Sequence, residues 1–270
     1  MACYGLSSWI AARLSPTDAL AAISAAGFTQ VELSDDQAPL VRAWEADPVA
    51  LTRQMRDAGM RLTSVHSPIN GRFLDLVDER GRLASVAANM VYLDLMAACG
   101  VPELVLHPIS AWQTPPPTDL GAFRADIVDS LARLADRASD LGLRLSVENL
   151  GGISASMSGV LDLIVDFDDH VGLCLDVGHA VQNGLDPLQE TQTALQSGRL
   201  FALHLHDVDA AGVDHFLPGE GVVDLPAILA ELDRARFTGL RTLEIARAEE
   251  RVAERILQAG AVRACWETGQ

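Results

Sequence analysis

The 270-residue sequence has no run of apolar residues long enough to cross a membrane, because a transmembrane helix needs roughly 18 or more in succession. Its N-terminal stretch, MACYGLSSWIAARLS, also lacks the basic start and apolar centre of a secretory signal peptide. These two absences predict a cytoplasmic protein with no membrane partner.

Cysteine and positive charge are also scarce. The four cysteines are scattered and form no C-x-x-C pair, which argues against a disulfide framework and against a thiolate zinc site. The chain has 20 basic and 37 acidic residues, giving a formal net charge of -17. A negative surface repels nucleic acids and anionic membranes at long range, so no nucleic-acid partner is expected.

Three common cofactor and nucleophile motifs are absent. The sequence has no G-x-G-x-x-G at a strand–helix junction, no G-x-x-x-x-G-K-[ST] and no G-x-S-x-G. It therefore offers no support for nicotinamide, nucleotide-triphosphate or serine-hydrolase chemistry.

What the sequence does contain is a regular alternation of short apolar runs and longer amphipathic segments. Strands are predicted near residues 2–6, 30–33, 62–66, 103–107, 144–148, 171–176, 200–204 and 241–245. Helices are predicted near residues 17–26, 48–58, 81–99, 120–141, 158–166, 187–197, 226–235 and 248–265. Eight such repeats in about 250 residues predict an α/β protein with a (β/α)8 TIM barrel, as a single domain over residues 1–270.

Polar residues with metal-binding side chains stand at the ends of six successive strands, the third to the eighth. They are His66, His107, Glu148, Asp176, His204 and Glu244. An open doubly wound sheet is the competing architecture, but it would bring only two or three strand ends together. A closed barrel collects all six at one mouth, so the pattern favours the barrel.

Four of these residues predict a divalent metal site. Glu148, Asp176, His204 and Glu244 would supply three carboxylates and one imidazole, which suit manganese, magnesium, cobalt or zinc. A buried cluster of carboxylates without a cation would be costly. The alternative is that single members cap helices or pair with arginines such as Arg247.

The remaining histidines of the mouth have more than one predicted role. His66 and His107 could hold a second ion together with Glu148, or they could hydrogen-bond substrate oxygens. His179 and His215 are predicted to contact the substrate or a further metal.

Other residues near the mouth are assigned less directly. His206 faces the same way as His204 but is not expected to be a ligand, because it lies one step further along the strand. Trp9 and Trp112 could line a pocket or simply pack. Residues 207–224 form a long irregular segment of the kind that serves as a lid or contacts substrate.

These motifs resemble the xylose-isomerase-like TIM-barrel superfamily, which contains sugar isomerases and epimerases as well as an apurinic endonuclease family. The resemblance covers nearly the whole chain. It is carried by G-F-T-Q-V-E-L-S from Gly27, V-H-S-P at His66, L-H-P at His107, V-E-N at Glu148, L-D-x-G-H from Leu175, H-x-H-D from His204, H-x-x-P-G-E-G from His215, and L-E-I at Glu244.

The resemblance implies site residues for both branches. In the isomerase branch one divalent ion would lie on Glu148, Asp176, His204 and Glu244, and the two glutamates would be the catalytic acid–base groups. In the endonuclease branch that set would hold one zinc, and His66, His107 and the shared Glu148 would hold a second. A third zinc there uses a histidine matching His179 and a D-x-H pair. Here His215 is kept, Val213 replaces the aspartate, and the adjacent Asp214 is expected to point elsewhere.

The leading functional hypothesis is isomerisation or epimerisation of a small sugar or polyhydroxy carbonyl compound by proton transfer between Glu148 and Glu244. The alternative is a zinc-dependent hydrolase with two or three ions, most simply a phosphoesterase. A third alternative is a barrel that binds ligand without catalysis. The expected partner is a small-molecule substrate, and a homo-oligomer is left open.

Overall fold

Eight parallel strands close into a barrel in sequence order. The computed structural model describes residues 3–68, 74, 79–110, 119–246 and 251–268. The strands are β1 Cys3–Ser7, β2 Gln30–Leu33, β3 Arg61–His66, β4 Glu103–Leu106, β5 Arg144–Glu148, β6 Val171–Asp176, β7 Leu200–Leu205 and β8 Leu240–Leu243. Pairing of β1 with β8 closes the ring, so the predicted α/β TIM-barrel architecture is confirmed.

The helices surround the barrel, and most of them connect one strand to the next along the chain. In the described residues they are α1 Pro16–Ala25, α2 Pro39–Ala46, α3 Pro48–Asp57, α4 Glu79–Cys99, α5 Leu120–Asp140, α6 Met157–Ile164, α7 Val177–Gln182, α8 Pro187–Gln196, α9 Leu225–Arg234 and α10 Val252–Thr268. Short 3-10 turns add Ser8–Ala11 and Gly152–Ser154. Every helix in this part of the chain is too short or too polar to span a bilayer.

Local signals set several helix starts. Ser15 and Asp186 accept backbone N–H groups of the first turns of α1 and α8, and a proline follows each of them. The sequence analysis misses α2 and α7. At six residues α7 is too short to show a helical period, and it begins directly at the end of β6.

The main hydrophobic core lies between the barrel and the helices, because alternate strand residues point outward. Leu33, Leu104, Leu145, Leu173 and Leu203 belong to it and are fully buried. The barrel interior is different from the usual layers of branched apolar side chains. Its apolar part is a small separate cluster made of Val105, Cys174 and Ala202, with Leu240 against it.

Polar side chains occupy much of the remaining interior. Glu32, Ser64, Glu103 and Ser146 are buried there, and each glutamate accepts a hydrogen bond from a serine. Arg144 also donates to Glu103 at the end of the barrel opposite the mouth. Stability therefore rests on the outer core, which leaves the interior available for polar chemistry.

Truncating the outer core should be costly. We expect Leu173→Ala to lower the free energy of unfolding by about 3 kcal/mol, because a fully buried leucine leaves a cavity between β6 and the helices. Val165→Ala is the control, since Val165 is 66% exposed and its loss should change stability by less than about 0.5 kcal/mol. Chemical denaturation of both variants measures the difference, and equal values would contradict this placement of the core.

Candidate metal centre

The ends of β5 to β8 bring three carboxylates and one imidazole to a common point. His204 Nδ1 lies 3.0 Å from Glu148 Oε1, 3.0 Å from Glu244 Oε2 and 4.0 Å from Asp176 Oδ2. Donor atoms of all four residues lie within 4.8 Å of one another, and all four side chains are buried. The structure thus assembles the four residues that the sequence assigns to a first metal ion.

Glu148 also faces a second group of histidines with its other oxygen. Glu148 Oε2 lies 3.1 Å from His66 Nε2 and 3.2 Å from His107 Nε2. Its Oε1 belongs to the His204 group, so the two carboxylate oxygens point at two neighbouring groups. The carboxylate is placed where it could bridge two ions.

A third group corrects one detail of the sequence analysis. Asp214 was expected to point away, yet donor atoms of His179, Asp214 and His215 lie within 4.8 Å of one another. Successive side chains of extended backbone face opposite ways. His215 instead has a φ of 60°, in the left-handed region, so the chain turns at this residue and the alternation is lost.

Backbone contacts orient two of the imidazoles. His66 Nδ1 donates to the Ser67 carbonyl at 2.8 Å, and His179 Nδ1 donates to the Asn149 carbonyl at 2.9 Å. A carbonyl oxygen can only accept, so the N–H group must be on Nδ1 in both rings. In His66 the other nitrogen, Nε2, lies 3.1 Å from Glu148 Oε2 and donates to it when the ring is charged; in the neutral ring Nε2 would carry the lone pair that an ion could use.

His206 hydrogen-bonds Asp176, and it also belongs to a possible metal group with Asp176, His215 and Glu244, whose ligand atoms lie within 4.8 Å of one another. Its Nδ1 accepts the backbone N–H of His215 at 3.0 Å, so a neutral ring carries its proton on Nε2. That Nε2 lies 2.9 Å from Asp176 Oδ2, which is a donor's position. The ring packs against Gly178, where a Cβ atom would come within 2.0 Å of it. The expectation that His206 is not a ligand stays a prediction.

Asp176 has two functions. Its Oδ1 accepts the backbone N–H of His179 at 2.6 Å and so caps α7, while the same carboxylate belongs to the candidate metal group. Asn149 links the two strand ends, because its side chain makes reciprocal hydrogen bonds with the backbone of Asp176 at 2.8 and 3.0 Å. The capping alternative raised from the sequence therefore holds for Asp176 in addition to its place in the cluster.

Two opposing effects set the protonation states of the cluster. Burial disfavours the charged form of each group, and a neighbouring opposite charge favours it. Burial disfavours a charged His66, but the hydrogen bond and charge of Glu148 outweigh it and raise the pKa of His66 to about 9. Burial likewise raises the pKa of Glu148, but the charge of His204 and then of His107 holds it well below its usual range. Burial lowers the pKa of His215, so its ring stays neutral, and its Nδ1 has no hydrogen-bond partner among the described residues.

These donors fit a divalent cation. Ionised carboxylates this close repel one another in a buried site, and a cation removes that cost. Carboxylate oxygens and imidazole nitrogens suit manganese, magnesium, cobalt and zinc alike. Glu148, Asp176, His204 and Glu244 could hold a first ion. His66 and His107 both approach Glu148 Oε2, and each belongs to a possible metal group with Glu148, His66 together with His204 and His107 together with His179.

Sequence comparison assigns the chain to a family. A family model described as xylose isomerase-like TIM barrel matches residues 20–262. The chain belongs to this family. The inosose isomerase of Bacillus licheniformis is 25% identical over 189 residues, which is 66% of this chain and 66% of that relative, just under two thirds.

Two solved structures of the same architecture superpose on the chain. The apo 3-keto-D-glucoside 4-epimerase YcjR from E. coli has a TM-score of 0.81 and 18% identity, covering 99% of this chain and 100% of that one. The IOLI protein with a bound zinc atom has a TM-score of 0.81 and 18% identity, covering 97% and 96%. At these identities the likeness shows the fold.

Two further residues of the site are not among those predicted from the sequence. Glu32 at the end region of β2 lies 3.1 Å from His204 Nε2, and Asn149 ties β5 to β6 as described above. The sequence does contain a signal for Glu32, because this carboxylate stands near the carboxyl end of β2, as Glu148 and Asp176 stand at the ends of β5 and β6. Trp9 packs edge-on against His215 at 4.6 Å between ring centroids. Trp112 and Arg247 lie outside the described residues.

The segment between β7 and α9 is held in place, in contrast to a free lid. The Asp207 carboxylate is 1% exposed and accepts the backbone N–H groups of Val208, Gly219 and Val223 at 2.9 to 3.0 Å. Glu220 pairs with Arg255 of α10 at 2.6 Å. The acidic residues of H-x-H-D and P-G-E-G therefore anchor the loop that carries His215.

Removing the charge of Asp207 should loosen this loop. We expect Asp207→Asn to lower the free energy of unfolding by about 2–3 kcal/mol, because an amide nitrogen would face backbone N–H donors in a buried position. Asp209→Asn is the control, since Asp209 caps Ala211 and Val213 on the exposed surface.

Denaturation and limited proteolysis of residues 208–223 measure this difference. Cleavage in the loop should accelerate in the Asp207 variant and stay unchanged in the Asp209 variant. Equal resistance of the two variants would show that Asp207 does not hold the loop.

Proposed function

We propose that this protein is a divalent-metal-dependent isomerase or epimerase of a small sugar or polyhydroxy carbonyl compound. The observation that carries the proposal is the placement of Glu148 and Glu244. Their carboxylates come from β5 and β8, and each has an oxygen 3.0 Å from the same atom, His204 Nδ1. Two buried carboxylates on either side of one centre are what a two-base proton transfer requires.

The reaction follows from these two groups. One carboxylate removes the proton on the carbon next to the substrate carbonyl, leaving an enediolate. The other residue enters the step as the carboxylic acid and gives its proton to the opposite face of the same carbon in an epimerase, or to the neighbouring carbon in an isomerase, where a hydroxyl proton also moves from one substrate oxygen to the other. The base leaves the step protonated, so the two residues exchange protonation states. A bound divalent ion would polarise the carbonyl oxygen and stabilise the developing negative charge.

Other residues of the mouth would bind and enclose the substrate. His179 and His215 belong to the third group, and the buried Nδ1 of His215, which has no hydrogen-bond partner among the described residues, would accept a hydrogen bond from a hydroxyl group. Trp9 packs against the His215 ring and would exclude water on that side. Similarity to the inosose isomerase supports a cyclic or open-chain polyol ketone as substrate.

Replacing Glu244 tests the two-carboxylate mechanism. We expect Glu244→Gln to reduce turnover about 10²–10⁴-fold, because the amide cannot exchange a proton with carbon. The variant should still bind ligand in part, since its shape is retained. The assay incubates metal-loaded protein with a panel of ketoses and inososes in heavy water and follows deuterium entry at carbon by NMR.

Glu254→Gln, on the exposed side of α10, is the matched control and should exchange at the wild-type rate. The metal content of each variant is determined alongside, so that loss of the ion is separated from loss of the base. Full exchange activity in a metal-loaded Glu244→Gln protein would contradict the mechanism.

Metal binding should stabilise the fold. Saturating manganese or zinc at 100 times its dissociation constant should add about 2.7 kcal/mol to the free energy of unfolding. That corresponds to a rise in Tm on the order of 5 °C over chelator-treated protein. Glu148→Gln should lose most of this rise, because Glu148 takes part in three of the possible metal groups, whereas Glu103→Gln at the other end of the barrel should retain it.

A second candidate function is metal-dependent hydrolysis. The observation that favours it is the second group, in which His66 and His107 approach the outer oxygen of Glu148. Two ions side by side can activate water and hold a leaving oxygen of a phosphoester. Elemental analysis of protein purified without chelator distinguishes the candidates. One ion per chain supports the isomerase, and two or more zinc ions support the hydrolase and direct the assays to phosphoesters.

A further inference from the structure

Glu32 is a buried carboxylate beneath the candidate metal centre. It lies on β2, which contributes none of the proposed ligands, and its side chain is fully buried in the barrel interior. Ser64 on β3 donates to Glu32 Oε2 at 2.7 Å. This contact directs the other oxygen, Oε1, across the barrel toward β7.

Glu32 Oε1 meets the back of His204. The distance from Oε1 to His204 Nε2 is 3.1 Å, while the front nitrogen, Nδ1, faces Glu148 and Glu244. Neither Oε1 nor Nε2 has an aligned hydrogen-bond partner in the described part of the chain. The acceptor Oε1 and the ring nitrogen Nε2 therefore face each other, although the angle between them is too small for an aligned hydrogen bond.

The charge of Glu32 is balanced by imidazole. Its nearest cationic partner is the His204 ring, whose Nε2 lies 3.1 Å from Glu32 Oε1. Glu103, the other glutamate of the interior, is paired instead with Arg144 and Ser146. Glu32 and Glu103 are both buried, and each accepts a hydrogen bond from a serine. They differ in their counter-charge, which is the candidate metal ligand His204 for Glu32 and the guanidinium of Arg144 for Glu103.

We propose that Glu32 is a positioning residue that keeps the proton of His204 on Nε2 and presents the Nδ1 lone pair to the metal. The inference rests on the metal centre of the proposed function and adds a residue to it. A carboxylate behind a ligating imidazole fixes the tautomer and ring orientation and makes the imidazole a stronger donor. Loss of such a partner commonly weakens metal affinity 10–100-fold.

The test is a cobalt titration of chelator-treated protein, competed against a chelator of known affinity. Wild type, Glu32→Gln, Ser64→Ala and Glu103→Gln are compared. We expect the Co²⁺ dissociation constant to rise about 10–100-fold in Glu32→Gln, with a shift of the visible Co²⁺ absorption bands. Ser64→Ala keeps the charge but frees its direction, so a rise of about fivefold is expected. Glu103→Gln should stay within about twofold of wild type.

Circular dichroism of the metal-free proteins checks folding. A Glu32→Gln protein that is folded and binds Co²⁺ within twofold of wild type, with unchanged bands, would overturn the role of Glu32 and leave the metal centre standing. If Glu32→Gln does not fold, Ser64→Ala decides, because wild-type affinity there overturns the inference and a fivefold loss supports it. Absence of Co²⁺ binding in wild type would overturn both the metal centre and this inference.

Discussion

The concentration of negative charge at one end of the barrel is the constraint on which the rest of this structure depends. Glu32, Glu148, Asp176 and Glu244 are 0–3% exposed and lie around His204 or its immediate neighbours. A folded protein tolerates this only where positive charge meets each carboxylate. In the metal-free arrangement the imidazoles provide it, and a divalent ion would take over that function.

The surrounding architecture accommodates this cluster. The large apolar core is outside the barrel, so the interior can hold polar side chains without leaving the fold unsupported. Backbone carbonyls fix the orientation of His66 and His179, and Asp207 fixes the loop that presents His215. Catalytic geometry of this kind depends on such supports, because small displacements of acid–base groups cost rate steeply.

Membership of the family limits the classes of reaction to consider, but it does not identify the reaction. A TIM barrel hosts many unrelated activities, and its function is carried by the residues at the mouth. In this chain the two oxygens of Glu148 face different groups, and Asp214 joins His179 and His215 although the spacing of the motif is altered. The same residues are therefore compatible with one ion or several.

The barrel and most of the residues at its mouth can be predicted from local patterns in the sequence. Eight strand–helix repeats specify the fold. Glu148, Asp176 and His204 stand at the carboxyl ends of their strands, and these ends share one rim because the strands are parallel. The period of two along a strand then predicts that their side chains point into the barrel. Only the tertiary structure decided which atoms meet. The bridging position of Glu148, the approach of Glu32 from the far side of the barrel and the turn at His215 join residues distant in sequence or depend on one backbone angle. Local patterns carry no information about such distances, since these are set by strand register and packing across the closed barrel.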